Sequence, residues 1–259
     1  MPKTEIIDSH AHISLPIFDE DRDRVIRRAK DAGVLAIINP AISPEDFEVA
    51  VNLARKYNDM LHIALGLAPQ RAQLKDLDVI VDLADKYKGR YIAIGECGLD
   101  YYWVRTEDEI EKMRRIFKTM VSLASSYDLP MIIHSRSAHG RNAYAEIIGI
   151  LGKSGVERAV FHAFFGRKSD ALEITRRGWL IGIPTVYVRR RDLWGVLKKV
   201  PLENVLVETD SPYLSPTKGK RNEPANVVVL IDLLSKIRSG DPFDIAYTIL
   251  ENTKTFFEI

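Results

Sequence analysis

The chain has only one cysteine, Cys97, in 259 residues. An intramolecular disulfide is therefore excluded, and a reducing compartment fits. No stretch approaches the ~20 consecutive apolar residues that a membrane-spanning helix needs. The opening MPKTEIIDSH has no apolar signal core. These absences lead us to expect a soluble, cytoplasmic protein. Excess charge of either sign is missing as well: 37 basic residues stand against 36 acidic ones, a net charge of +1. The overall basic balance that often marks nucleic-acid binders is absent, so any phosphate-binding charge must be local. Low-complexity segments, Pro/Gly-rich linkers and composition breaks are also lacking, and a single domain is expected over residues 1–259.

What the chain does have is alternation. Short apolar runs recur: EIID (5–8), VLAIIN (34–39), IALGL (63–67), YIAIG (91–95), PMIIH (130–134), AVFH (159–162), WLIGI (179–183) and VLVET (205–209). Continuous apolar runs are what parallel strands buried on both faces look like. Helix signals fill the gaps. Ser43-Pro44-Glu45-Asp46 reads as a cap, a first-turn proline and early acids. Thr106 with Glu109 makes a capping box. A stripe of Leu230, Leu233, Leu234 and Ile237 ends at Gly240, and Asp241-Pro242 starts a last helix. Eight strands alternating with helices over roughly 250 residues fit an α/β fold, a single (β/α)8 TIM barrel.

Polar residues collect at one end of these runs. Run 1 leads into His10 and His12, run 4 into Glu96, run 5 into His134, run 6 into His162 and run 8 into Asp210. In such a barrel, catalytic residues come from the C-terminal ends of several strands. Residues two apart on a strand share a face, so His10 and His12 can chelate one cation. His134 and His162 suit a second, Glu96 suits a bridge, and Asp210 completes the first. The mixed imidazole and carboxylate set fits Mg, Mn or Zn without selecting one. By the same alternation Asp8 and Glu208 face inward, where they are expected to accept the free N–H of ligating histidines or to form a buried network. Cys97 and His62 read as structural and His139 as a surface residue.

Several stretches are similar to the TatD family of metal-dependent deoxyribonucleases: IIDSHAH (6–12), IGECGLDY (94–101), MIIHSR (131–136), FHAFFG (161–166), ETDSPYLSP (208–216) and GKRNEP (219–224). They stand in family order. The resemblance implies a divalent-metal site at the six positions above and phosphodiester hydrolysis, often from the 3′ end of DNA. There are departures. Ala68 stands where the family usually has a histidine after strand 3. Met113 and Met120 replace glutamines, and Ser137 replaces an acid.

Two cations lower the pKa of a bound water, with Asp210 expected as general base and Glu96 as the shared ligand. Arg136 and Arg221 are candidate phosphate contacts; the alternative partner is Asp100 for Arg136, and Glu223 or a neighbouring acid for Arg221. Arg189, Arg190 and Arg191 are a candidate basic rim. Tyr101, Tyr102 and Trp103 are candidates for stacking on bases. The alternative is an amidohydrolase-like enzyme cleaving an amide, lactone or ester, aminoacyl-tRNA esters included. Such barrels often bridge their metals with a modified lysine where this chain has Glu96.

Overall fold

The computed structural model describes residues 5–70 and 72–259. Eight parallel strands form one sheet in sequential order: β1 (Ile6–Asp8), β2 (Val34–Pro40), β3 (Leu61–Leu65), β4 (Ala93–Asp100), β5 (Met131–Arg136), β6 (Ala159–Phe161), β7 (Leu180–Pro184) and β8 (Val205–Glu208). The sheet curls until its edges meet. Ser9 N donates to Val207 O at 3.1 Å, and Ala11 bridges in parallel to Ser211. The expected (β/α)8 barrel is therefore the fold.

The helices follow the strands: α1 (Arg22–Ala32), α2 (Pro44–Lys56), α3 (Asp76–Lys86), α4 (Glu107–Tyr127), α5 (Ala143–Leu151), α6 (Lys168–Arg176), the single turn α7 (Trp194–Leu197), α8 (Val229–Arg238) and α9 (Pro242–Phe257). Local chemistry sets their starts. Ser43 Oγ accepts from Asp46 N ahead of α2, and Thr106 and Glu109 cap α4 reciprocally. Asp241 caps α9. The stop of α8 differs from expectation. Ser239, at φ 54°, takes the left-handed position one residue before Gly240.

Alternation along the strands divides the core. Ile7, Ile38, Ala64, Ala93, Ile132, Val160 and Leu206, from seven different strands, pack together with Leu250, Phe256 and Phe257 of α9. This is the barrel interior, plugged by α9. The residues that alternate with these on the strands, such as Ile37, Ile63, Ile133 and Phe161, pack with the outer helices. Cys97 joins that outer layer as expected, fully buried with its thiol pushed up by burial. Two residues beyond Ile132, Val160 and Leu206 come His134, His162 and Glu208. The interior layer thus turns polar at the C-terminal ends of the strands. Among the described residues no helix is long and apolar enough to cross a membrane.

Candidate metal centre

The six predicted ligands converge. β1 ends at Asp8, earlier than a strand carrying both histidines would. The Ala11–Ser211 bridge and the bond from Asp210 N to His10 O (2.8 Å) continue the extended backbone. His10 Nε2 and His12 Nε2 consequently lie 3.2 Å apart. Glu96 Oε2 is 3.5 and 3.4 Å from these two nitrogens, and Asp210 Oδ1 is 3.7 and 3.4 Å from them. The other Glu96 oxygen, Oε1, lies 2.8 Å from His134 Nδ1 and 3.2 Å from His162 Nε2, and those two nitrogens are 3.3 Å apart. Glu96 thus gives one oxygen to each set.

These spacings fit cations. Four ligands at about 2.0–2.1 Å around a tetrahedral ion have edges of about 3.3 Å. Facing nitrogen lone pairs at 3.2 Å repel unless a proton or a cation lies between them. Two of the four far ring nitrogens have hydrogen-bond partners, while His10 Nδ1 and His162 Nδ1 are buried without one among the described residues. His12 Nδ1 lies 3.1 Å from Pro40 O, and His134 Nε2 lies 2.9 Å from Asp100 Oδ2. If each far nitrogen carries its proton there, the clustered nitrogen is free to ligate.

Burial pushes the His162 imidazole down, but Glu96 and Glu208 outweigh it and hold it well above its ordinary value. Burial likewise pushes Glu96 up, yet the charge of His162 and hydrogen bonds from His10, His134 and His162 hold it well below the carboxylate range. His12 and His134 are raised, against burial, by Asp210 and Glu96 and by Asp100 and Glu96 respectively. His10, stacked on His162 at 3.9 Å, is lowered by burial and by that neighbour.

Glycines make the room. A Cβ on Gly66 would stand 2.3 Å from Glu96 N, so only glycine lets the end of β3 approach the backbone that carries Glu96. The register of β4 on β5 slips between Ile94 and Cys97, and Glu96 lies on that irregularity. Asp210 adopts φ 54°, a left-handed conformation that aspartate tolerates better than most residues.

The two inward carboxylates have different roles. Glu208 Oε1 accepts from Ala163 N at 2.5 Å and lies 3.7 Å from His162 Nδ1. Asp8 reaches no imidazole. It accepts from Thr209 N (2.8 Å), Thr209 Oγ1 (2.6 Å) and, at 3.4 Å, His10 N. Burial pushes its carboxyl up to about 8 despite those bonds, which fits a structural acid. Of the two readings open for Asp8, the buried network is the one present.

The cluster opens into a cleft of about 1130 Å³ whose walls include His12, Ala68, Gln70, Trp103, Arg136 and Tyr213. Three expectations about this rim need correction. Tyr101 is 1% exposed, and its hydroxyl meets Glu146 Oε2 at 2.5 Å. It is packed behind the cleft, and Trp103, 60% exposed, takes the place beside it. Arg221 clamps Asp21 at 2.9 and 2.6 Å and lies over Phe18, off the cleft wall, while Glu223 takes Arg28 instead. Arg136 does line the cleft, but it stacks on Tyr102 at 4.0 Å rather than pairing with Asp100. Of Arg189, Arg190 and Arg191, only Arg190 is on the wall, paired with Asp192. His139 is exposed and His62 sits second in β3, far from the strand exits.

Sequence reasoning missed Gln70. Its Nε2 lies 2.8 Å from Asp100 Oδ2 and 3.0 Å from His134 Nε2. A polar residue just after the strand-3 exit was the available signal.

A (β/α)8 barrel with a histidine–carboxylate cluster at its C-terminal rim defines the class of metal-dependent hydrolases. The comparisons narrow the class: residues 7–258 match the model of the TatD related DNase family, and the chain belongs to that family. It is 35% identical to deoxyribonuclease TATDN3 of Homo sapiens, over 97% of this chain and 94% of that one. It is 32% identical to the 3′-5′ ssDNA/RNA exonuclease TatD of Shigella flexneri, over 98% and 99%. The crystal structure of YJJV, the TatD homolog of Escherichia coli K12, superposes with a TM-score of 0.88 at 30% identity, covering all of both chains.

Proposed function

We propose that this chain cleaves phosphodiester bonds of DNA from the 3′ end, with two divalent cations (Mg, Mn or Zn) held by His10, His12, Glu96, His134, His162 and Asp210. The observation that carries the reading is the division of Glu96, one oxygen to each of two nitrogen sets. The names of the human and Shigella relatives supply the substrate class. The lone buried thiol fits work in the cytoplasm.

When bound, such cations supply an activated water and offset charge on the phosphate. The protein's own groups do the rest. Asp210 Oδ1, 3.4 Å from His12 Nε2 on the cleft wall, orients the water and takes its proton. Glu96 keeps the two nitrogen sets at fixed separation. His12 and His134 are held in their ligating orientation by Pro40 O and Asp100. Arg136 offers its guanidinium fork to a phosphate at the cleft wall.

The test is hydrolysis of end-labelled single- and double-stranded DNA, with p-nitrophenyl esters and phosphates in parallel, in Mg, Mn and Zn. Stepwise shortening from the 3′ end is the expected result, abolished in Glu96→Gln. Turnover of esters without DNA would replace the nuclease reading with the esterase one.

A further inference from the structure

The cluster continues outward from His134 through one buried carboxylate. We propose that Asp100 is a positioning residue that couples cation binding at His134 to a strand-reading edge made by Trp103 and Arg136. The identity of the strand as nucleic acid rests on the reading above; the coupling does not.

Asp100 is fully buried and its two oxygens face different ways. Oδ2 lies 2.9 Å from His134 Nε2 and accepts from Gln70 Nε2 at 2.8 Å. Oδ1 accepts from Tyr102 N at 2.9 Å and Trp103 N at 3.1 Å. One oxygen therefore sets the tautomer of a candidate ligand, while the other pins the turn after β4. Its own N–H points to Met113 Sδ at 3.2 Å, so the carboxylate is anchored from behind. A carboxylate with both oxygens engaged transmits a shift at one side to the other.

That turn carries the edge. The Tyr102 ring lies 4.0 Å beneath the Arg136 guanidinium and meets Trp103 edge-on, with centroids 4.9 Å apart. Among the described residues four arginines line the cleft. Arg141, Arg167 and Arg190 pair with Glu107, Asp170 and Asp192. Among the described residues Arg136 pairs with no carboxylate, and Tyr102 supports its planar face. Its edge N–H donors suit a phosphate. Trp103 offers an exposed indole beside it, suited to an unpaired base. Because binding free energies are reciprocal, a cation that orders His134 and Asp100 also favours the strand, and the strand favours the cation.

The experiment is amide exchange on the full chain, with and without Zn²⁺, read at Tyr102 and Trp103 by mass spectrometry. The ion is expected to slow both amides at least severalfold in the parent. Unchanged exchange in the parent overturns the coupling, and this arm needs no variant. Calorimetry with Zn²⁺ supplies the second arm. Asp100→Asn puts an amide against His134 Nε2 and should weaken the ion by about 10–100-fold, whereas Trp103→Ala should not. Parent-like zinc affinity in Asp100→Asn overturns the proposal. Third, Trp103→Ala and Tyr102→Ala should weaken an uncleavable phosphorothioate single strand by about tenfold each, with zinc affinity unchanged. If the strand is bound as in the parent, the edge is wrong. If DNA is never cleaved while Zn²⁺ still protects Tyr102 and Trp103, the nuclease reading fails and the coupling stands.

Discussion

Gly182 shows how tightly single residues are constrained around the cluster. A Cβ there would stand 2.3 Å from Glu208 Oε2 and 2.8 Å from its Cδ. Gly182→Ala must therefore push Glu208 off Ala163 N and away from His162. Overpacking of this kind costs about 1–3 kcal/mol, which urea unfolding will measure, and zinc affinity should fall with it. The proposed general base, Asp210, gives a second prediction at this scale. Asp210→Asn should lower kcat by about 10²–10⁴-fold while the fold, followed by circular dichroism, is retained. Single residues were also unequally legible. Each candidate ligand closes or closely follows an apolar run, so its address was visible in the sequence. Arg221 was misassigned because its partner Asp21 is 200 positions away, and nothing local announces that pair. Tyr101 was misassigned because strand alternation stops at the turn, so its inward packing against Glu146 had no periodic signal.

At the scale of elements, caps and strands were legible to different degrees. The capping box at Thr106 and the Ser43 cap lie within four residues of sequence, and both are present. Thr106→Ala removes the acceptor for Glu109 N at the head of the 21-residue α4. It should cost about 0.5–2 kcal/mol in chemical denaturation with DNA hydrolysis unchanged, since the cap is exposed and off the cleft wall. Strand ends were less legible. β1 stops at Asp8, and the facing geometry of His10 and His12 is held by Asp210 N donating to His10 O and His12 N donating to Ser211 O across the seam. Those long-range backbone bonds leave no trace in local composition. The slip in β4 at Glu96 is hidden for the same reason: it depends on pairing with β5.

For the whole molecule, the cluster links cation, proton and stability. In the cation-free protein Glu96 is depressed, so its contribution is present above its unfolded value and is lost as pH falls through the folded value. His162, His12 and His134 are raised, so theirs is full below the unfolded value and is lost as pH rises through the folded values. A cation needs those imidazoles neutral, and its binding releases their protons. The gap in melting temperature between Zn²⁺-loaded and chelator-treated protein should therefore widen from about pH 5 to about pH 8. A gap independent of pH would mean that the histidines do not hold the ion.

The central claim is that Glu96 is shared by two cations. Anomalous diffraction from crystals grown with Mn²⁺ tests it most directly. Two peaks about 3.5–4 Å apart are predicted, one beside His10, His12 and Asp210 and the other beside His134 and His162. A fully loaded crystal with no peak next to Glu96, or with a single ion touching only one of its oxygens, would contradict it.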